Sequence, residues 1–235
     1  MTGACLYGLG VGPGDPELVT LKAARILQAC PVVAYPAPDD GVSFARSIVA
    51  DLMPAGVTEI PMVIPMRTER YPAFEVYDAA AGTIGGHLDA GRDVAVLCEG
   101  DPFFYGSFMY LFSRLAGRYR IEIVPGVTSL TACAAALGRP LAGRNDVLSV
   151  VPATLDEGAL RDRLEAADAA AIIKLGRHLD KVRRVLDHLG LTGRAGYVER
   201  ATLPNQKAVP LARLDVEMAP YFSMILVYRG GEPWP

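Results

Sequence analysis

The chain has 235 residues, 51% of them hydrophobic, with a net charge of −3 and a pI of about 5.7. That allows one large domain or two smaller ones with packed cores, and no segment has a disordered composition. With no Lys/Arg-rich block, no apolar run of roughly 18 residues and no basic-then-apolar leader, the sequence argues against nucleic acid, membrane and secretion, so a cytoplasmic protein is expected.

Residues 4–10 read as a buried strand running into a glycine-rich turn. A helix is expected over about residues 17–29, with Asp15 as N-cap and Pro16 at the first helical position. Residues 31–36 form a short second strand and residues 42–52 a helix. Residues 57–65 are extended, and Pro61 and Pro65 exclude a central strand. From Pro72, the residues Phe74, Tyr77, Ala81, Ile84 and Leu88 recur at helical spacing, and Gly91 is a natural stop. Residues 93–102 form a near-continuous apolar strand ending in a polar turn, followed by a helix over about 104–116 and a strand over 119–126.

Strand and helix alternate, and the strands are apolar runs, which predicts a mostly parallel sheet covered on both faces. Ligands of such sheets bind at the carboxyl ends of the strands. Beyond Pro125 the chain passes through a helix of small residues, "TSLTACAAALG", then strands at "DVLSVVPA", "AAAIIKLG", "AGYVER" and "YFSMILVYRG". Helices are expected over 157–167 and within "RHLDKVRRVLDHLG", where Leu179, Val182, Val185, Leu186 and Leu189 share a face. The expected architecture is therefore α/β in two domains, 1–124 and 125–235, with mostly parallel or mixed sheets.

The first turn, residues 8–15, fits neither common nucleotide pattern. Counted from Gly8 the sixth position is Pro13, and from Gly10 it is Asp15, so the dinucleotide glycines fail. A P-loop needs a lysine, and here Asp15 and Glu17 stand instead. Those carboxylates suit a helix start and repel phosphate. Cys5, Cys30, Cys98 and Cys133 are scattered singly, with no CxxC pair. The histidines at 87, 178 and 188 lack metal-ligand spacing, so no metal is expected.

Four segments in order, "VGPGDPELVTLKAARIL", "CEGDPFFYGS", "VPGVTSLTACAAALG" and "YVERAT", resemble the tetrapyrrole methylases, the class III methyltransferases that use S-adenosylmethionine (SAM). The segments "LDAGRDVAVLCEGDPFFYGSFMYLF" and "YFSMILVY" look most like the branch that methylates C20 of precorrin-2, whose close relatives use the cobalt-loaded equivalent, cobalt-factor II. The resemblance implies two α/β domains, a cofactor cleft between them and a homodimer. It places Pro13 beside the cofactor, with Glu99, Gly100 and Asp101 at its methionine part and Phe104 against it. Thr128 and Ser129 approach it as small residues, and Leu175 and Ala201 lie near its adenine. Methyl transfer from a sulfonium needs alignment and exclusion of water rather than a nucleophilic residue. Asp101 and Tyr105 are the candidates to accept the proton that C20 must lose. The substrate carries many carboxylates, so some of Arg67, Arg70, Arg139, Arg144, Arg177 and Arg200 are expected to bind them.

Overall fold

The computed structural model describes residues 3–39, 41–64 and 71–230, with residues 71–73 described through their backbone alone. The chain divides into two compact units, residues 1–128 and 129–235, each built on its own five-stranded sheet.

The first unit contains strands β1 (Cys5–Gly10), β2 (Val32–Ala37), β3 (Thr58–Val63), β4 (Val94–Cys98) and β5 (Arg120–Val124), in the order β3-β2-β4-β1-β5. Every pairing is parallel. Helices α1 (Leu21–Ala29) and α2 (Phe44–Ile48) cover one face, and α3 (Tyr71–Asp89) and α4 (Phe108–Leu115) cover the other. Alternation along the strands produces the two layers. Leu9, Val33, Ala95 and Leu97 pack with Ile26, Leu27 and Ile48, whereas Leu6, Val32, Val94 and Val96 pack with Ile84, Leu88, Phe108 and Leu111. Because both their faces are buried, the central strands β1 and β4 read as continuous apolar runs, as the sequence predicted, whereas the edge strands β3 and β5 carry Glu59, Arg120 and Glu122. Gly8 belongs to this packing: a Cβ there would lie 2.7 Å from the Phe108 ring, which rests on bare backbone.

The second unit contains α5 (Ser129–Leu137), β6 (Leu148–Pro152), α6 (Glu157–Glu165), β7 (Ala169–Ile173), α7 (Leu179–His188), β8 (Ala195–Glu199), β9 (Lys207–Pro210) and β10 (Ser223–Tyr228). Its sheet order is β6-β7-β10-β8-β9, with β6 and β7 parallel and β10 antiparallel to both neighbours. The carboxyl ends of β6, β7 and β8 therefore share one edge. Leu160 and Leu164 of α6 and Leu179, Val182, Val185 and Leu186 of α7 close over Val151, Ile172, Tyr197 and Ile225. On the other side α5 packs on β8, β9 and β10.

Some local readings change. Asp15 caps only a 3-10 turn at Pro16–Leu18, accepting from the Glu17 N–H at 2.8 Å. The chain then extends through Val19 and Thr20, and the Thr20 hydroxyl, accepting from the Ala23 N–H at 3.1 Å, caps α1. The helix expected over 42–52 is the five-residue α2 followed by a 3-10 turn. The helix expected from residue 104 starts at Phe108. Pro61 sits in β3, an edge strand, where its missing donor costs no ladder bond to a central neighbour. Strand β9 has no apolar run to announce it, and all four of its residues are half-buried.

Thr20→Ala should destabilise the protein by about 1 kcal/mol through loss of the α1 cap. Asp15→Ala should leave the helicity of α1 unchanged. Urea unfolding monitored by circular dichroism checks both, and the reverse ranking would restore Asp15 as the cap of one continuous helix.

Candidate functional site

The carboxyl ends of β4, β1 and β5 lie side by side in the first sheet, and their backbones continue into contact. Val11 N–H donates to Cys98 O at 2.9 Å. Gly12 and Gly100 exchange bonds of 3.3 and 2.8 Å, forming a short antiparallel bridge past the strand ends. A Cβ on Gly10 would lie 2.5 Å from Gly126 N, and one on Gly126 would lie 2.0 Å from Gly100 O. No side chain fits at either place, and Gly100 turns the chain away with φ +65°.

Asp101 fastens this arrangement. Its Oδ1 accepts from Phe103 N at 2.9 Å and Phe104 N at 3.1 Å, and its Oδ2 accepts from Gly126 N at 3.1 Å. The turn through residues 102–107 carries the left-handed Tyr105, and α4 starts beyond it, four residues later than its sequence suggests. Tyr105 sits in that turn with a left-handed backbone (φ 56°) and is 48% exposed. A non-glycine residue held in that conformation is strained, and such strain gathers at functional turns. Phe104 is half-buried and meets the Tyr105 ring edge-to-face at 5.3 Å.

Glu99 is half-buried at the end of β4. Burial pushes its carboxyl above the usual range, against the pull of its own N–H and that of Ala45. Pro13 and Thr128 are partly exposed, and Ser129 is exposed as the first residue of α5. Within the first unit the structure thus brings Glu99, Gly100, Asp101 and Phe104 to the same strand edge as the Gly12–Pro13 turn.

In the second unit, Leu175 and Ala201 follow β7 and β8 on the shared carboxyl edge, on either side of the start of β10. Leu175 is fully buried in the unit's core and Ala201 is buried, so their backbones are what the edge offers to a ligand. Each follows a non-glycine residue with a left-handed backbone: Lys174 (φ 59°) and Arg200 (φ 52°). Sequence reasoning passed over Tyr197 and Glu199. The Tyr197 hydroxyl donates to Glu199 Oε2 at 2.6 Å, and Arg200 Nη1 donates to Glu199 Oε1 at 2.9 Å. The available signal was the i, i+2 spacing of a tyrosine and a glutamate on one strand face.

Arg67 and Arg70 lie outside the described residues. Arg144 and Arg177 are exposed. Arg139 lines a cavity of about 10 Å³ with Leu137, Arg194 and Tyr228, room for no more than a water. All four cysteines are buried thiols, and burial raises each of them, Cys30 and Cys133 to about 12.

The family model described as Tetrapyrrole (Corrin/Porphyrin) Methylases matches residues 5–215. The chain is 43% identical to the precorrin-2 C(20)-methyltransferase of Sinorhizobium sp over 94% of each chain. It is 32% identical to the cobalt-precorrin-2 C(20)-methyltransferase of Salmonella typhimurium over 97% of each. It is also 46% identical to the cobalamin biosynthesis protein CobIJ of Mycobacterium tuberculosis, over 96% of this chain and 46% of that one, so it spans about half the length of such relatives. Among solved structures, a cobalt precorrin-4 methyltransferase superposes with a TM-score of 0.74 at 26% identity, covering 95% of this chain and 94% of the other. The uroporphyrin-III C-methyltransferase of Thermus thermophilus, complexed with S-adenosylhomocysteine, superposes with a TM-score of 0.68 at 28% identity, covering 95% and 97%.

The raised carboxyl of Glu99 sets a sign for stability against pH. Between the ordinary glutamate value and its folded value the native state holds the proton more tightly than the unfolded chain. Its contribution to stability is therefore lost as pH rises through that window. Glu99→Gln removes the titration, so the variant should gain on the wild type as pH rises from 4 to 8. Urea unfolding across that range checks this, and a stability difference independent of pH would refute it.

Proposed function

Because the chain belongs to the tetrapyrrole (corrin/porphyrin) methylase family, we propose that it transfers a methyl group from SAM to the C20 meso carbon of precorrin-2, a step in building the corrin ring. The full-length likeness to the Sinorhizobium C(20)-methyltransferase carries this reading. The chemistry of the first strand edge fits the cofactor. Glu99 and Asp101 stand there beside bare glycine backbone, a setting that favours a sulfonium and opposes a pyrophosphate. The relative solved with S-adenosylhomocysteine supports the same cofactor.

The proposed cofactor-contacting set is Pro13, Glu99, Gly100, Asp101, Phe104, Thr128, Ser129, Leu175 and Ala201. Leu175 and Ala201 contribute through their backbones, since their side chains are buried. Bound there, SAM supplies an electrophilic methyl, and the protein's task is alignment and exclusion of water. The new C–C bond forms at C20 as the S–CH₃ bond breaks, and C20 then loses a proton. Of the two residues proposed to serve that loss, Asp101 has both oxygens engaged with backbone N–H groups and acts by holding the turn. Tyr105, half-exposed on a strained backbone, is the group that can reach a substrate. A homodimer, a cytoplasmic setting and the absence of a nucleic-acid partner belong to the same proposal. The Salmonella relative favours one second reading, with the cobalt-loaded macrocycle as acceptor.

Anaerobic turnover with methyl-labelled SAM, offering precorrin-2 and cobalt-factor II separately, tests the proposal, with NMR locating the label. Label at C20 of precorrin-2 is the expected result. Label only on the cobalt form selects the second reading, and label on neither removes both. Asp101→Asn should lower the melting temperature and raise KM for SAM about tenfold, because a side-chain NH₂ replaces one acceptor oxygen and faces a backbone N–H that it held. A fall in kcat alone, with KM and stability intact, would make Asp101 the base instead.

A further inference from the structure

Strand β8 ends in a charged cluster whose geometry is built from the core outward. Successive strand residues point to opposite faces, so Glu199 and Arg200 should diverge. The left-handed backbone at Arg200 turns its side chain back, and Nη1 reaches Oε1 of its own neighbour at 2.9 Å. The other oxygen of that carboxylate accepts the Tyr197 hydroxyl at 2.6 Å. Tyr197 is fully buried, so the carboxylate is anchored to the core of the unit. The Glu199 side chain is 12% exposed and that of Arg200 is 38% exposed. The cluster thus holds a surface guanidinium by a nearly buried acid.

This arrangement leaves a defined edge. Among the described residues, Nη1 is the guanidinium nitrogen of Arg200 with a protein acceptor, and the Nε–Nη2 edge has none. Glu199 cannot take that edge as well, because Tyr197 occupies its second oxygen. We propose that Arg200 is a preoriented carboxylate receptor, held by Glu199 and Tyr197, whose Nε–Nη2 edge binds a ligand carboxylate through two parallel hydrogen bonds. The proposal rests on the methyltransferase reading, which supplies two sources of that group: the amino-acid end of the cofactor and the peripheral carboxylates of the tetrapyrrole. Tyr197 and Glu199 are positioning residues for the guanidinium.

Arg200→Gly is the decisive variant. It removes the guanidinium, and glycine adopts φ 52° without penalty, so the turn survives. Calorimetric titration with S-adenosylhomocysteine and with 5′-methylthioadenosine, which lacks the carboxylate, is paired with steady-state KM for the tetrapyrrole. If the cofactor is the source, Arg200→Gly weakens S-adenosylhomocysteine about tenfold and leaves 5′-methylthioadenosine unchanged. If the tetrapyrrole is the source, its KM rises about tenfold at unchanged kcat while both thioethers bind as before. Tyr197→Phe should move the same constant in the same direction by less, with kcat unchanged, and Arg200→Lys should fall between wild type and Arg200→Gly. Values within twofold of wild type for both S-adenosylhomocysteine and tetrapyrrole would overturn the proposal. So would equal weakening of the two thioethers, which would mean a damaged turn. A wild-type protein that binds neither thioether nor transfers a methyl group would remove the methyltransferase reading, and this proposal with it.

Discussion

Three backbone segments without side chains meet at the carboxyl edge of the first sheet, and much of the local structure follows from that contact. Gly10, Gly100 and Gly126 stand at or just beyond the ends of β1, β4 and β5. Parallel strands lie about 4.8 Å apart, which leaves room for side chains above and below the sheet but little between converging chain ends. Here the ends converge further, so that a single added methyl carbon would collide with a carbonyl oxygen or an amide nitrogen. Only after the chains have closed this far can the Asp101 carboxylate reach Gly126 N and the two amides of its own turn. One acidic side chain then ties the loop after β4 to the loop after β5.

The second sheet solves a related problem differently. Its carboxyl edge carries left-handed residues with full side chains, at Lys174, Arg200 and Thr202, where glycine would be the easy choice. Each such residue costs roughly 1–2 kcal/mol of backbone strain. At Arg200 the offsetting interaction is visible: a charge-assisted hydrogen bond, worth about 1.5–3 kcal/mol, that exists only because the backbone is turned. Tyr197 reinforces it from within the core. A glycine would give the same backbone path but no guanidinium, so the retained side chain points to a use for the charge.

The fold was legible where burial dictated the pattern. Strands covered on both faces cannot hide polar residues, and β1, β4, β7 and β10 announced themselves as apolar runs. The glycine turn and the Glu99–Asp101 turn were placed at strand ends by simple alternation of elements. Local backbone choices were less legible. Asp15 and Thr20 are both sound caps, and nothing local says that the chain breaks between them. Phe104, Tyr105 and Phe108 suit a helix, yet the backbone at Tyr105 is left-handed and α4 begins only at Phe108. Tyr197 and Glu199 stand inside the quoted "YVERAT" segment yet were given no role, because what joins them is a shared face and a hydrogen bond that the segment does not announce. Of the six arginines considered from sequence, only the structure separates exposed Arg144 and Arg177 from Arg200, which a neighbour holds in place.

The two edges also differ in charge, and this bears on the kind of ligand each can accept. The first gathers carboxylates: Glu99, whose burial already raises its proton affinity, and Asp101, whose charge is spread over three amides. A cation brought beside Glu99 favours the ionised form and is favoured by it, whereas an anion there meets an acid that burial already disfavours. The second edge presents Arg200 and exposed Lys174. A ligand with a cationic centre and a carboxylate, or a macrocycle ringed by carboxylates, is complementary to one or other of these fields. A nucleoside polyphosphate is opposed by the first and has no glycine-lysine cradle to receive it. The failure of the nucleotide patterns in the opening turn is therefore a physical property of that strand edge, set by the carboxylates around it.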